Sequence, residues 1–247
     1  MTVTHIVWDW NCTLLDDFNI SVAAAAAACA EVGGAPVDSH SYRRHFTRPV
    51  RNFYEALLAR PVTDVEWRRI VLCYHDTYES LLPEVGLRAE AVEALRLARS
   101  AGLTQSLLSM GDHDAVSALV DHFALRPHFC LVQGADTEQR TEVKRDRLHR
   151  HIERAGELRG TPLTPGEVLL VGDTEDDMEA ALAAGTRCAL LSDGCFDPAA
   201  VDHPDVTVID RLHEAVRPPR HPHPRPRRQA ATPPAPAPPG TTLPQAP

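Results

Sequence analysis

The sequence predicts an α/β fold with a doubly wound parallel sheet, interrupted early by a block of helices. Two apolar runs, Ile6-Val7-Trp8 and Val168-Leu169-Leu170-Val171, contain no alternating polar residues. Each stops at an acid, Asp9 directly and Asp173 after Gly172. Unbroken apolar runs of this kind read as strands buried on both faces, the habit of parallel sheets. From about residue 85 such runs alternate with helical stretches, whereas residues 16–84 contain no convincing strand.

Local signals place each element. The first strand leaves the sheet at Asp9, and in open α/β sheets ligands gather outside the carboxyl ends of strands. An alanine-rich helix is expected over 19–32, ended by Gly33-Gly34-Ala35-Pro36. Further helices are expected over 41–46, 50–59 and 64–82, and Pro83-Glu84-Val85-Gly86 marks the return to the core. There, 89–101 reads as a helix stopped by Gly102, 104–109 as the second strand, 114–123 as a helix and 128–132 as the third strand. A helix over 141–156 carries Lys144 in its first turn. Strand 168–171, a helix over 176–184 stopped by Gly185, and strands 188–191 and 206–209 complete the core. Right-handed crossovers bring the strand ends to one edge.

Composition narrows the class. A chain of 247 residues holds one sizeable α/β domain plus an insertion. The six cysteines show no metal spacing, as expected of reduced thiols in a cytoplasmic protein. Neither a signal segment nor a membrane span is apparent, since the Ala23–Ala28 run is short and weakly apolar. Net charge is −9, yet residues 217–247 hold five arginines and no acid, so the remainder is more acidic still. Such a body disfavours nucleic acid as a partner. The Pro- and Arg-rich stretch 217–247, with His221 and His223, is expected to be a disordered, solvated appendage.

Two strands that each deliver an Asp to one rim can place carboxylate oxygens around a hard cation. Mg²⁺ takes one or two carboxylates together with waters and substrate phosphate oxygens. A helix start explains Glu175 and Asp176 but explains poorly the crowding of Asp173 with Asp177. The base composition is also pointed: of 25 Lys and Arg residues only Lys144 is a lysine. A compact ammonium there suggests a point charge for which a guanidinium does not substitute.

These residues resemble the haloacid dehalogenase superfamily, mostly Mg²⁺-dependent phosphatases with a Rossmann-like core and, in many members, a helical cap. The first motif, Asp-x-Asp-Gly-Thr-Leu, is matched by Asp9-Trp10-Asn11-Cys12-Thr13-Leu14, and the fourth by Gly172-Asp173-Thr174-Glu175-Asp176-Asp177. Ser109 fits the second motif and Lys144 the third, in the family's order. The resemblance implies a core of residues 1–15 and 85–216 and a cap of 16–84, and the chain is loosely similar to the phosphoglycolate phosphatases. It implies Asp9 as a nucleophile that forms an aspartyl-phosphate, and Mg²⁺ held by Asp9, Asp173 and the Asn11 carbonyl. Asp177 would orient the metal site and Lys144; Ser109 and Lys144 would grip the transferring oxygens, and Thr13 would order the loop. The substrate is then a small phosphorylated metabolite, with Arg43, Arg44, Arg48 and Arg51 of the cap available to its far end. Arg48 and Arg51 would share a face if a helix begins at Pro49.

Two departures stand out. Asn11 replaces the family's second acid, and an amide cannot supply the proton transfer that is typically worth ~10²–10⁴-fold. A slow, leaving-group-dependent phosphatase is expected, with Asn11→Asp raising turnover on alkyl esters. The alternative is a weakened member that binds a phosphorylated ligand or a protein partner. Cys12 replaces a glycine, which strains the turn if the backbone there needs a positive φ. The cap contains no lysine, which argues against a Schiff-base phosphonate-cleaving member.

Overall fold

A computed structural model describes residues 2–135, 143–198 and 201–216. Six strands form one parallel sheet: β1 (His5–Trp8), β2 (Thr104–Asp112), β3 (Leu131–Ala135), β4 (Val168–Thr174), β5 (Arg187–Cys195) and β6 (Val206–Ile209). Their order is β3-β2-β1-β4-β5-β6, so β1 lies inside the sheet, between β2 and β4. Doubly wound topology reverses direction at this point, which places a crevice beyond the ends of β1, β2 and β4.

Helices cover both faces. On one, Ile6 and Trp8 of β1 pack with Ala91, Ala94 and Leu95 of α5 (Ala91–Ser100) and with Val116 and Val120 of α6 (His113–His122). On the other, Val7 meets Leu148 and Ile152 of α7 (Lys144–Arg159) and Ala180 and Ala181 of α8 (Glu175–Ala184). Alternate residues of one unbroken apolar strand thus serve two cores, which is why no polar residue interrupts it. A buried polar chain crosses the α7 face: His5 contacts Thr104 and Ser106, and Ser106 contacts His151, at 2.7–2.8 Å.

Between β1 and α5 lie four helices: α1 (Phe18–Glu31), α2 (Ser39–His45), α3 (Val50–Leu58) and α4 (Asp64–Leu81). They build a separate apolar cluster around Tyr42, Phe53, Tyr54 and Ile70, which Cys195 of β5 joins. Capping boxes start α2 at Asp38 and α4 at Thr63. Among the described residues no helix is long and apolar enough to cross a membrane.

Some boundaries differ from the sequence reading. The third strand begins at Leu131 because Arg126–His128 form a 3₁₀ turn with Pro127 in its first positions. β2, β4 and β5 run past their apolar segments to Asp112, Thr174 and Cys195, with register shifts near their ends. α7 continues through Gly156 and stops at Gly160, whose φ of +74° suits a left-handed cap. The expected helix start at 141–142 and the stretch 217–247 lie outside the described residues.

Candidate active site

Four chain segments bring their polar groups to the crevice. Asp9 follows β1, Ser109 lies in β2, Lys144 opens α7, and Asp173 and Asp177 come from β4 and the first turn of α8. All five are buried. Lys144 Nζ donates to Asp9 Oδ1 at 2.5 Å and also to Asp177 Oδ1, joining groups 135 and 33 residues away. Thr13 Oγ1 donates to Asp173 Oδ1 at 3.1 Å and lies 3.5 Å from Asp9 Oδ2. One oxygen from each of Asp9, Asp173 and Asp177 falls within 4.8 Å of the others. This set of hard oxygen donors suits a divalent cation such as Mg²⁺.

Asp177 is held from behind. Its Oδ2 accepts from the backbone N–H groups of Asp173 and Thr174 at 3.2 and 3.0 Å, and from the Thr174 hydroxyl at 2.7 Å. Gly172 makes this approach possible, because a Cβ there would stand 2.3 Å from Asp177 Cγ.

Burial raises the Asp9 carboxyl to about 6 despite the pull of Lys144. Burial, with Asp9 and Asp177 nearby, lifts Asp173 well above the usual carboxylate range. Burial opposes the charge on Asp177 as well, but Lys144 and the Thr174 hydrogen bonds hold it below that range. Lys144 is likewise opposed by burial, yet Asp177 and Asp9 hold its ammonium above the ordinary value. The pocket therefore concentrates negative charge around one fixed cation.

Asn11 and Ser109 meet, since the Ser109 hydroxyl donates to Asn11 Oδ1 at 3.3 Å and accepts from Gly111 N–H at 3.0 Å. Cys12 has φ +57°, so a side chain does occupy a left-handed position after Asn11. The cap arginines diverge. Arg48 precedes α3 and pairs with Asp176 at 3.3 Å, beside a cleft of about 70 Å³ bounded by Phe46, Thr47, Arg48, Glu175, Asp176 and Glu179. Arg51 does not share that face: it bonds Asp64 at 2.9 Å, the Val62 carbonyl and, at 3.6 Å, Glu55, all within the helical layer. Arg43 lies 3.7 Å above the Phe18 ring and donates to the Asp193 carbonyl, while Arg44 is exposed.

Three contributors escaped the sequence reading. Asp17 accepts from Asn11 and Cys12; Tyr78, 61 residues further on, joins it from α4; and Arg147 holds the Ser109 and Gly134 carbonyls. Asp17 belongs to no motif and stands in the sequence only as one of two adjacent acids ahead of the alanine-rich helix.

Comparison with known proteins agrees with this geometry. The family model for haloacid dehalogenase-like hydrolases matches residues 3–185. Phosphoglycolate phosphatase 1 of Pseudomonas aeruginosa is 24% identical over 216 residues, covering 85% of this chain and 77% of that protein. The phosphoglycolate phosphatase of Synechococcus elongatus is 27% identical, covering 78% and 85%. Among solved structures, a haloacid dehalogenase-like family protein from Streptococcus pneumoniae superposes with a TM-score of 0.70 at 18% identity, covering 87% of this chain and 97% of that one. A hydrolase of the same superfamily from Entamoeba histolytica gives 0.65 at 13%, covering 87% and 99%. With that family model spanning 3–185, well over half of its residues, this chain belongs to the haloacid dehalogenase-like hydrolase family.

Proposed function

We propose that the protein is a Mg²⁺-dependent phosphatase of small phosphorylated metabolites, working through an aspartyl-phosphate on Asp9. The observation that carries this reading is the single lysine, Lys144, bridging Asp9 and Asp177 beside Asp173 in a buried pocket. Asp9, Asp173 and the Asn11 carbonyl would hold the metal, whose role when bound is to neutralise phosphate charge; Asp177 would orient them. Phosphoryl transfer depends mainly on positioning and charge neutralisation, so this small set of groups suffices.

In this reading an Asp9 oxygen attacks phosphorus in line, the P–O bond to the leaving group breaks, and water later hydrolyses the acyl phosphate. Lys144 and the Ser109 hydroxyl steady the equatorial oxygens, and Thr13 keeps the loop in place. Residues 1–15 and 85–216 act as the core and 16–84 as the cap, with Arg48 at the cleft available to a carboxylate or second phosphate of the substrate. Asn11 leaves that group without an acid, so activated aryl or acyl phosphates are cleaved better than alkyl esters. The phosphoglycolate phosphatases among the relatives make 2-phosphoglycolate the first alkyl ester to try.

Phosphate release from a panel containing 2-phosphoglycolate and p-nitrophenyl phosphate, with Mg²⁺, tests the proposal. Release well above that of Asp9→Asn is expected. Equal release from both proteins would favour a ligand-binding role and discard the enzyme.

A further inference from the structure

Asp17 is a fully buried carboxylate that makes no ion pair among the described residues. Three uncharged donors satisfy it instead. Cys12 N–H donates to Oδ1 at 2.6 Å, while Asn11 Nδ2 at 2.8 Å and the Tyr78 hydroxyl at 2.6 Å donate to Oδ2. The Tyr78 oxygen also accepts from Asn11 Nδ2 at 3.1 Å, closing a triangle between the loop after β1, the start of α1 and the far end of α4. The Asn11 amide therefore has one orientation, nitrogen toward two acceptors and oxygen toward the Ser109 hydroxyl.

We propose that Asp17 is the positioning residue of the nucleophile loop. It clamps the left-handed turn at Cys12, aims Asn11, and ties both to the helical layer through Tyr78. The role rests on the phosphatase reading above. It also revises the expectation for Asn11→Asp: a carboxylate at that position would meet Asp17 where the amide nitrogen now stands 2.8 Å away. Like charges in contact displace the loop, so an acid at residue 11 works only when residue 17 becomes its donor.

The test is a cycle on the full chain: wild type, Asn11→Asp, Asp17→Asn, and the double variant that exchanges donor for acceptor. Each single change is expected to lower kcat on 2-phosphoglycolate about tenfold with KM within about threefold, and the double variant to recover to wild type or better. Recovery by reversal is something a merely structural carboxylate would not produce. Should a single variant fail to fold, Tyr78→Phe, which deletes one oxygen, is expected to lower kcat about threefold through the same contact. A rise in turnover with Asn11→Asp alone, effects that simply multiply in the double variant, or an unchanged kcat in Tyr78→Phe would overturn the proposal. Calorimetric Mg²⁺ titration of the same four proteins reads the loop without turnover. Weakening in the singles and recovery in the double are expected; uniform affinity refutes the role of Asp17. Wild-type release no higher than Asp9→Asn would sink the phosphatase reading alone and leave the Mg²⁺ cycle to decide on Asp17.

Discussion

A lysine sealed between two carboxylates is costly to misplace. Lys144→Arg cannot seat a planar fork where Nζ touches both Asp9 and Asp177, and it is expected to cut kcat about 100-fold or more in steady-state assays. Lys144→Met leaves two buried carboxylates without their cation; denaturant unfolding without metal should show a loss of about 3–5 kcal/mol. Gly172→Ala puts a methyl 2.3 Å from Asp177 Cγ, so Asp177 must move and phosphate release should fall to the Asp9→Asn level. At this scale Asp9, Lys144, Asp173 and Asp177 were legible because each sits at a strand end or within an ordered motif, where short-range signals suffice. Asp17 and Tyr78 were not, because their meaning lies in a contact between residues 61 apart. Arg51 was not legible as a partner of Asp64 and the Val62 carbonyl for the same reason, since those contacts join residues 13 and 11 apart.

Between elements, the polar chain under α7 makes stability depend on pH. Burial, reinforced by Arg159, lowers His5 to about 4; burial, with His5, Arg147 and Lys144 nearby, lowers His151 to about 3. Both rings are neutral in the fold, and the unfolded chain takes up protons below an ordinary value near 6.5. The stability they contribute is whole above pH 6.5 and drains as pH falls toward 4 and then 3. Thermal scans should show the midpoint dropping by about 10 °C over that window, and a shallower drop in His5→Gln. Ser106→Ala, which strips both rings of a shared partner, is expected to cost about 1–3 kcal/mol at neutral pH. The strands and helices themselves were readable from apolar runs and glycine stops. Their ends were not: β2, β4 and β5 continue into polar residues that sequence patterns treat as loop, and Pro127 moved the third strand onward.

For the molecule as a whole, the crowded Asp9, Asp173 and Asp177 carboxylates store repulsion that the proposed cation would relieve. Mg²⁺ at about 100 times its dissociation constant should raise stability by about 2.7 kcal/mol, visible as a higher midpoint that chelation reverses and that Asp173→Asn abolishes. The doubly wound topology was legible because strand and helix signals alternated after residue 85, but the docking of the helical layer through Tyr78 and Arg48 was not. The place of β1 carries a further consequence for biosynthesis. Its ladder partners begin at Thr104 and Val168, so the first of the six strands to be made is the one that waits longest for its neighbours. Until then Ile6, Val7 and Trp8 have no neighbouring strands, and the nascent polypeptide presents a sticky segment that a holdase or rapid helical collapse must shield. The pocket as a whole consequently stays unmade until Asp173 and Asp177, the last of its groups in chain order, have joined Asp9.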